Sequence, residues 1–200
     1  MVLDNLSTKE LLMLYSFILE SLYLATHPEV ERTTRLVLSR HDLILTNMQR
    51  KTEGKKPSRL LVLKNSEATK TITFADMHLL RLEVERRLFQ GNVEPVEWDG
   101  GDHAIVIKPV ESGIRLELLS ENPVALTFSA PEVLKLLSTN LSAIPVWDAP
   151  YPLKTDRLEI VHTPKVFALL RLKLNEEVRE YQLGRYPLIT LAWMAQRALS

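Results

Sequence analysis

Strand-like segments that end in a capped helix recur along this chain, and that recurrence limits the fold more than any other feature. Thr73 stands three residues before Asp76, and Ser129 stands three residues before Glu132. A hydroxyl followed at this spacing by a carboxylate is a capping-box signature of a helix start. In both places the preceding residues alternate between apolar and polar, which is typical of a half-buried strand.

The two copies also align over a short motif. Ile72-Thr73-Phe74 matches Leu126-Thr127-Phe128 at an offset of 54 residues, a spacing that repeated supersecondary units produce and that coincidence also produces. A weaker third copy ends at Gly184, after which Pro187 opens a helical pattern. The sequence therefore predicts an α+β protein, with an N-terminal helix followed by two or three repeated antiparallel strand–strand–helix units.

These patterns divide the chain into four segments, which are either separate structural units or parts of one compact domain. A proline-rich stretch, residues 143–154, is the best linker candidate. The predicted segments are an N-terminal helical segment at 1–34, a first sheet-plus-helix unit at 35–92, a second at 93–146 and a C-terminal one at 147–200.

The first helix has its own capping box, formed by Ser7 and Glu10, and is predicted to run from Thr8 to about Thr26, before Pro28. It is apolar nearly all round, and such a helix needs burial on several sides. It is therefore either a central core helix or the interface of a homodimer. The residues of its main stripe, and of the predicted interface, are Leu11, Leu14, Tyr15, Ile18 and Leu22.

The charges are balanced overall but unevenly placed. The chain has 25 basic and 25 acidic residues, so its net charge does not identify a nucleic-acid or membrane binder. Residues 35–90 carry 12 basic and 6 acidic residues, whereas residues 91–150 carry 3 and 9. Blocks of opposite sign favour pairing between parts of the chain or between subunits.

Cysteine is absent from the chain, which excludes disulfides, thiolate zinc sites, iron–sulfur clusters and a cysteine nucleophile. This composition suits a reducing compartment, and we expect a cytoplasmic protein. The apolar run from Leu11 to Ala25 is about fifteen residues long, whereas a spanning helix needs about twenty. We therefore expect no membrane association.

A basic loop between two predicted strands is the best nucleic-acid candidate. It contains Gly54 and Pro57 and is predicted to be exposed. Such a loop is able to clamp a phosphate backbone, although the aromatic platforms that single-strand binders use are sparse near it. The candidate nucleic-acid-binding residues are Arg50, Lys51, Lys55, Lys56 and Arg59, with Arg171 and Lys173 near the end of the chain.

The segment Asp99-Gly100-Gly101-Asp102-His103 is the most site-like cluster. Its carboxylates and imidazole suit a divalent cation or general acid–base work, but Gly-Gly between two strands is also typical of a hairpin turn. Nucleophile-elbow and phosphate-loop motifs are absent from the sequence. We therefore predict no catalytic residues, metal or cofactor, and a metal-dependent enzyme using Asp99, Asp102 and His103 is the third hypothesis.

Two functional hypotheses precede that one. The first is a non-enzymatic protein-interaction or assembly module that binds a protein partner or itself as a homodimer, favoured by the opposite charge blocks and the apolar first helix. The alternative is a single-stranded nucleic-acid-binding protein that uses a sheet face and the basic loop 50–59. The sequence identifies no small-molecule substrate.

Overall fold

A computed structural model describes residues 3–137, 153–154, 158–163, 167–174 and 177–200, with side chains for 3–134, 171 and 177–200. The chain forms two compact units, Met1–Gly91 and Asn92–Ser200. Pro145, Pro150 and Pro152 of the predicted linker lie outside the described residues, whereas its last two residues, Leu153 and Lys154, form a strand, so the linker prediction is wrong there.

The first unit contains two α-helices and one sheet. Short 3-10 turns lie at Leu3–Asn5 and Ser39–His41. The elements in chain order are α1 (Thr8–Thr26), β1 (Thr34–Leu38), β2 (Leu43–Arg50), β3 (Ser58–Lys64), β4 (Thr69–Ile72) and α2 (Phe74–Gln90).

The second unit contains two sheets and two α-helices. Its elements in chain order are β5 (Val96–Asp99), β6 (Ala104–Val110), β7 (Gly113–Leu119), β8 (Val124–Phe128), α3 (Ala130–Leu137), β9 (Leu153–Lys154), β10 (Leu158–Thr163), β11 (Phe167–Leu174), β12 (Glu177–Gln182) and α4 (Arg185–Leu199).

The described strands form three antiparallel sheets, each of four strands paired in chain order, and a helix follows each sheet. The predicted α+β class and the N-terminal helix are confirmed. The predicted repeat is less well matched, because four strands rather than two precede each helix. Only the last two strands of each sheet, together with the helix that follows, correspond to the predicted strand–strand–helix unit.

The two copies of the aligned motif occupy different positions relative to the helix that follows them. Thr73 is the N-cap of α2, and its hydroxyl accepts a hydrogen bond from the backbone N–H of Asp76 at 3.1 Å. Leu126-Thr127-Phe128 lies wholly within β8 instead, and Ser129 caps α3. Phe74 is therefore helical and Phe128 extended, because the capping hydrogen bond and not the apolar alternation decides where each strand ends.

The core of the first unit is built on α1, which packs on α2, β1 and β3. The two helices are also joined by a hydrogen bond, in which the Tyr15 hydroxyl donates to Glu85 Oε1 at 2.6 Å. Burial, together with this bond to a carboxylate, raises the pKa of Tyr15. The phenol therefore remains a neutral donor at physiological pH.

The core of the second unit is closed by the last helix of the chain. α4 packs on α3 and on β5, β6 and β7, so the C-terminal helix covers the second sheet. The Trp98 indole N–H donates to Thr190 Oγ1 at 3.0 Å, a buried bond between residues 92 positions apart. Trp193 is almost completely buried on the same helix.

Candidate interaction surface

Side chains of the first sheet alternate between two faces, as in any pleated sheet. Leu36, Leu45 and Leu61 are buried on the face toward the helices. The opposite face is named the first outer face. It consists of Arg35, Val37, Ile44, Thr46, Met48, Arg50, Ser58, Leu60, Val62, Lys64, Thr69 and Thr71.

The middle of the first outer face is apolar. Val37 is 43% exposed and Met48 is 36% exposed, and each is paired across the sheet with another apolar residue, Ile44 and Leu60 respectively. Ile44, Leu60 and Val62 are half-buried. Exposed apolar side chains that are contiguous, unlike single ones, indicate a contact surface.

The charge of the first outer face is of one sign. Arg35, Arg50 and Lys64 are basic, and the face has no acidic residue. These three side chains have no ion-pair partner within the described part of the chain. The face therefore combines an apolar centre with unneutralised positive charge.

The second sheet has the same topology but a different outer surface. Glu117 Oε1 lies 2.8 Å from both Lys108 Nζ and Arg115 Nε, and the hydrogen bond from Lys108 holds the pKa of Glu117 below its ordinary value. Two cations thus share one carboxylate in the middle of this surface. The surface, named the second outer face, consists of Glu97, Asp99, Ala104, Val106, Lys108, Val110, Arg115, Glu117, Leu119, Ala125 and Thr127.

Two residues of the basic loop predicted to bind nucleic acid already have partners within the first unit. The Arg59 guanidinium donates to the carbonyls of Val30 and Arg32, and Lys51 forms an ion pair with Glu31. The three other predicted cations, Arg50, Lys55 and Lys56, are exposed.

The two C-terminal candidates lie in the third sheet, on β11. Arg171 Nε donates to Glu180 Oε1 of the neighbouring strand at 2.5 Å. Lys173 pairs with Val178 in the same ladder, and its side chain lies outside the described residues. The structure therefore places these two residues on a different unit from the basic loop.

The predicted dimer interface lies on α1. Leu14 and Ile18 are fully buried, Leu11 and Tyr15 are nearly so, and Leu22 is half-buried. Side chains buried within one chain offer little surface to a second copy. A homodimer formed through this stripe stays a prediction, and the exposed apolar residues of the first unit lie elsewhere.

The Asp99–His103 segment forms a hairpin turn between β5 and β6. The Asp99 carboxylate accepts from Gly101 N at 2.9 Å, and Gly100 N donates to His103 O at 2.9 Å. Asp102 is almost fully exposed and bonds the Nδ1 of the buried His103 at 2.7 Å, which lowers the pKa of Asp102. The two carboxylates thus form hydrogen bonds with different residues of the turn. Among the described residues, no group of three or more His, Asp or Glu is arranged to hold a metal ion.

Replacing Gly100 by alanine should destabilise the second unit by about 1 kcal/mol, the lower end of the cost of overpacking. A Cβ at Gly100 would lie 2.6 Å from His103 Nε2 and 2.9 Å from Cδ2 of the same ring. Urea unfolding followed by tryptophan fluorescence measures this loss. In a His103→Ala background the collision partner is gone, so the same substitution should cost almost nothing, and an equal cost in both backgrounds would contradict the contact.

A pocket of about 510 Å³ also opens in the first unit, between α2 and the edge of the first sheet. Leu63, Ile72 and Leu80 contribute to its apolar lining. At its rim Arg87 is bound by Asp4 at 2.5 Å and by Glu83 at 2.8 Å. The charged groups of this ion-pair chain are already matched, so they offer little to recognise a ligand.

The first outer face cannot be identified as a surface from the sequence. Arg35 lies two residues before Val37 on β1, but only the strand register places Arg35 beside Thr46 and Lys64 beside Ile44. Alternation within each strand was the available signal. The order of the strands decides which residues lie side by side on each face, and the alternation within a strand does not specify that order.

Comparisons with protein-family models, with curated proteins and with solved structures found no match to this chain. Among the described residues, no helix has the length and apolar character needed to cross a bilayer. Function is therefore inferred from the surfaces of the two units alone.

Proposed function

We propose that the protein is a non-enzymatic assembly module that self-associates by binding protein surface with its first outer face. The observation that supports this is the set of apolar residues on that face, with Val37 of the edge strand β1 43% and Met48 of β2 36% exposed beside cations that lack acidic neighbours on the face. The equivalent face of the second sheet carries an internal ion-pair network instead. The first and second sheets thus have the same topology but differ in the charged groups of their outer faces, since only the first carries cations with no carboxylate on the same face.

The size of the face sets the expected strength of binding. Four strands about 4.8 Å apart, with about 3.3 Å per residue, give it an area on the order of 300 Å². A stable complex buries roughly 800 Å² per partner. We therefore expect a reversible association that depends on protein concentration, rather than a permanent oligomer.

Light scattering over a range of protein concentrations tests the proposal. Val37→Glu combined with Met48→Glu places charge in the apolar centre and should abolish the rise in molar mass that we expect of the unmodified protein. The matched control is Val178→Glu, because Val178 is also a strand valine, 55% exposed, on β12 of the second unit. A rise that survives in the double variant, or one that never occurs in the unmodified protein, contradicts the proposal.

Single-stranded nucleic acid is the second candidate ligand, favoured by the exposed Arg50 on the face and the exposed Lys55 and Lys56 in the adjoining loop. It ranks second because base stacking needs aromatic side chains, and the twelve residues of the first outer face include none. Retention of a single-stranded oligonucleotide that falls steeply as salt rises would support it. Lys55→Glu with Lys56→Glu should then remove that retention.

Two further expectations accompany the proposal. We infer a cytoplasmic protein from the cysteine-free composition. We also expect neither catalysis nor a cofactor, since the most site-like side chains, Asp99, Asp102 and His103, already have partners within a turn.

A further inference from the structure

We propose that the first outer face binds the second outer face of another copy of this chain. This inference rests on the proposed function and adds the identity of the partner. It follows from the charges of the two faces, because the first carries three cations and no carboxylate, whereas the second has exposed carboxylates along one edge.

The second outer face is acidic along its β5 edge. Glu97 and Asp99 are both exposed there. Glu117, one strand beyond β6, is already matched by Lys108 and Arg115, so the β5 edge is the part of the face where negative charge remains. Leu119, 46% exposed, adds an apolar contact next to this edge, because it pairs with Ala104, which in turn pairs with Asp99.

The first outer face has the complementary composition. Its exposed Val37 and Met48 match the apolar contact that Leu119 offers, and Arg35 and Lys64 match the carboxylates. Two first outer faces in contact would instead bring Arg35 and Lys64 of one copy against the same cations of the other, and such like-charge contacts are unfavourable. A contact between unlike faces is therefore preferred.

Contact between unlike faces has a geometric consequence. A bound pair keeps one unoccupied face of each kind, one on each copy, so the association is heterologous and continues beyond a dimer, into a ring or a filament. Because the contact includes exposed opposite charges, the molar mass should also fall as ionic strength rises.

Two face variants of the full chain test the inference by light scattering. Arg35→Glu with Lys64→Glu reverses the charge of the first outer face, and Glu97→Gln with Leu119→Gln removes a charge and the apolar contact from the second without creating a partner for the reversed first face. Each variant alone should remain at the mass of a single chain. An equimolar mixture should form a 1:1 dimer, with twice that mass and no larger species, since each copy supplies one intact face.

The outcomes separate this inference from the proposed function. If only the first variant loses association, the first outer face does bind protein, but the second outer face is not its partner and the inference is overturned. A mixture that stays at the mass of a single chain overturns it as well. If neither variant changes the association of the unmodified protein, both the inference and the proposed function fail. Far-UV circular dichroism of each variant verifies that a lost association does not come from unfolding.

Discussion

Replacing Gly113 by alanine is expected to lower the free energy of unfolding of the second unit by about 4 kcal/mol, as backbone strain and overpacking each contribute about 1–3 kcal/mol. Gly113 opens β7 with a φ of +143°, a conformation that side chains of L-residues rarely adopt. A Cβ at this position would overlap the carbonyl oxygen of Phe128 and would lie 3.0 Å from Ser129 Cα.

The neighbours of Gly113 explain why this substitution should cost more than that of Gly100. The atoms that a Cβ would meet are backbone atoms of the last residue of β8 and of Ser129, the N-cap of α3. Backbone atoms do not move away by a change of rotamer. Relief therefore requires β7 and β8 to separate or the capping box of Ser129 and Glu132 to shift.

Tryptophan fluorescence during urea unfolding measures the loss in the correct unit, because Trp98, Trp147 and Trp193 all lie in the second one. The control is Gly101→Ala: its φ is +91°, but a Cβ there would meet nothing within 4 Å. It should show the strain without the collision. A Gly113 variant no less stable than the Gly101 variant would refute the steric argument.

The helices were well predicted from the sequence, because their ends depend on local chemistry. α1 runs from Thr8 to Thr26, as its capping box and Pro28 indicate. In the structure the Ser7 hydroxyl accepts from Glu10 N, and the Glu10 side chain accepts from Ser7 N. Both groups lie within one turn, so no knowledge of the tertiary fold is needed to predict the helix start.

The pairing of elements was not predictable in the same way. Most strands were identified from their alternation, although β9 lies in the predicted linker, and the four-stranded sheets and the packing of α4 on the second sheet depend on contacts that are distant in sequence. The bond between Trp98 and Thr190 joins residues 92 positions apart. Nothing in the periodicity of either segment specifies the other.

The candidate surface shows the same limit. The apolar first helix indicated burial or an interface, and burial within one chain is what the structure shows for Leu14 and Ile18. Leu79 and Leu82 of α2 are exposed apolar residues of the first unit, and so are Val37 and Met48, which are ordinary strand residues in the sequence. Only the antiparallel register places Val37 and Met48 together on the first outer face.

Replacing Arg32 by alanine is the second substitution expected to have a large effect, a loss of about 2 kcal/mol in the first unit. Arg32 Nε lies 3.1 Å from Glu20 Oε1, and the side chain of Glu20 is only 2% exposed. Breaking a fully buried pair costs about 3–5 kcal/mol. The expected loss is smaller because Arg32 is 46% exposed and because Arg59 also attracts Glu20.

The decisive measurement is the double variant, Arg32→Ala with Glu20→Gln. If the loss comes from a buried carboxylate left without its closest cation, removing that charge should restore part of the stability, so the double variant should be more stable than Arg32→Ala alone. Alanine keeps the Arg32 carbonyl that accepts from Arg59, so the segment between α1 and β1 retains that anchor in both variants.

Hydrogen exchange of the α1 amides reports the opening of the first unit, which contains no tryptophan. Arg40→Ala is the control, because Arg40 is exposed on a 3-10 turn of the same unit and a surface substitution of this kind changes stability by less than about 0.5 kcal/mol. If the losses from Arg32→Ala and Glu20→Gln simply add in the double variant, the two side chains are not coupled. The stability of the first unit would then come from the apolar packing of α1 rather than from the buried charge of Glu20.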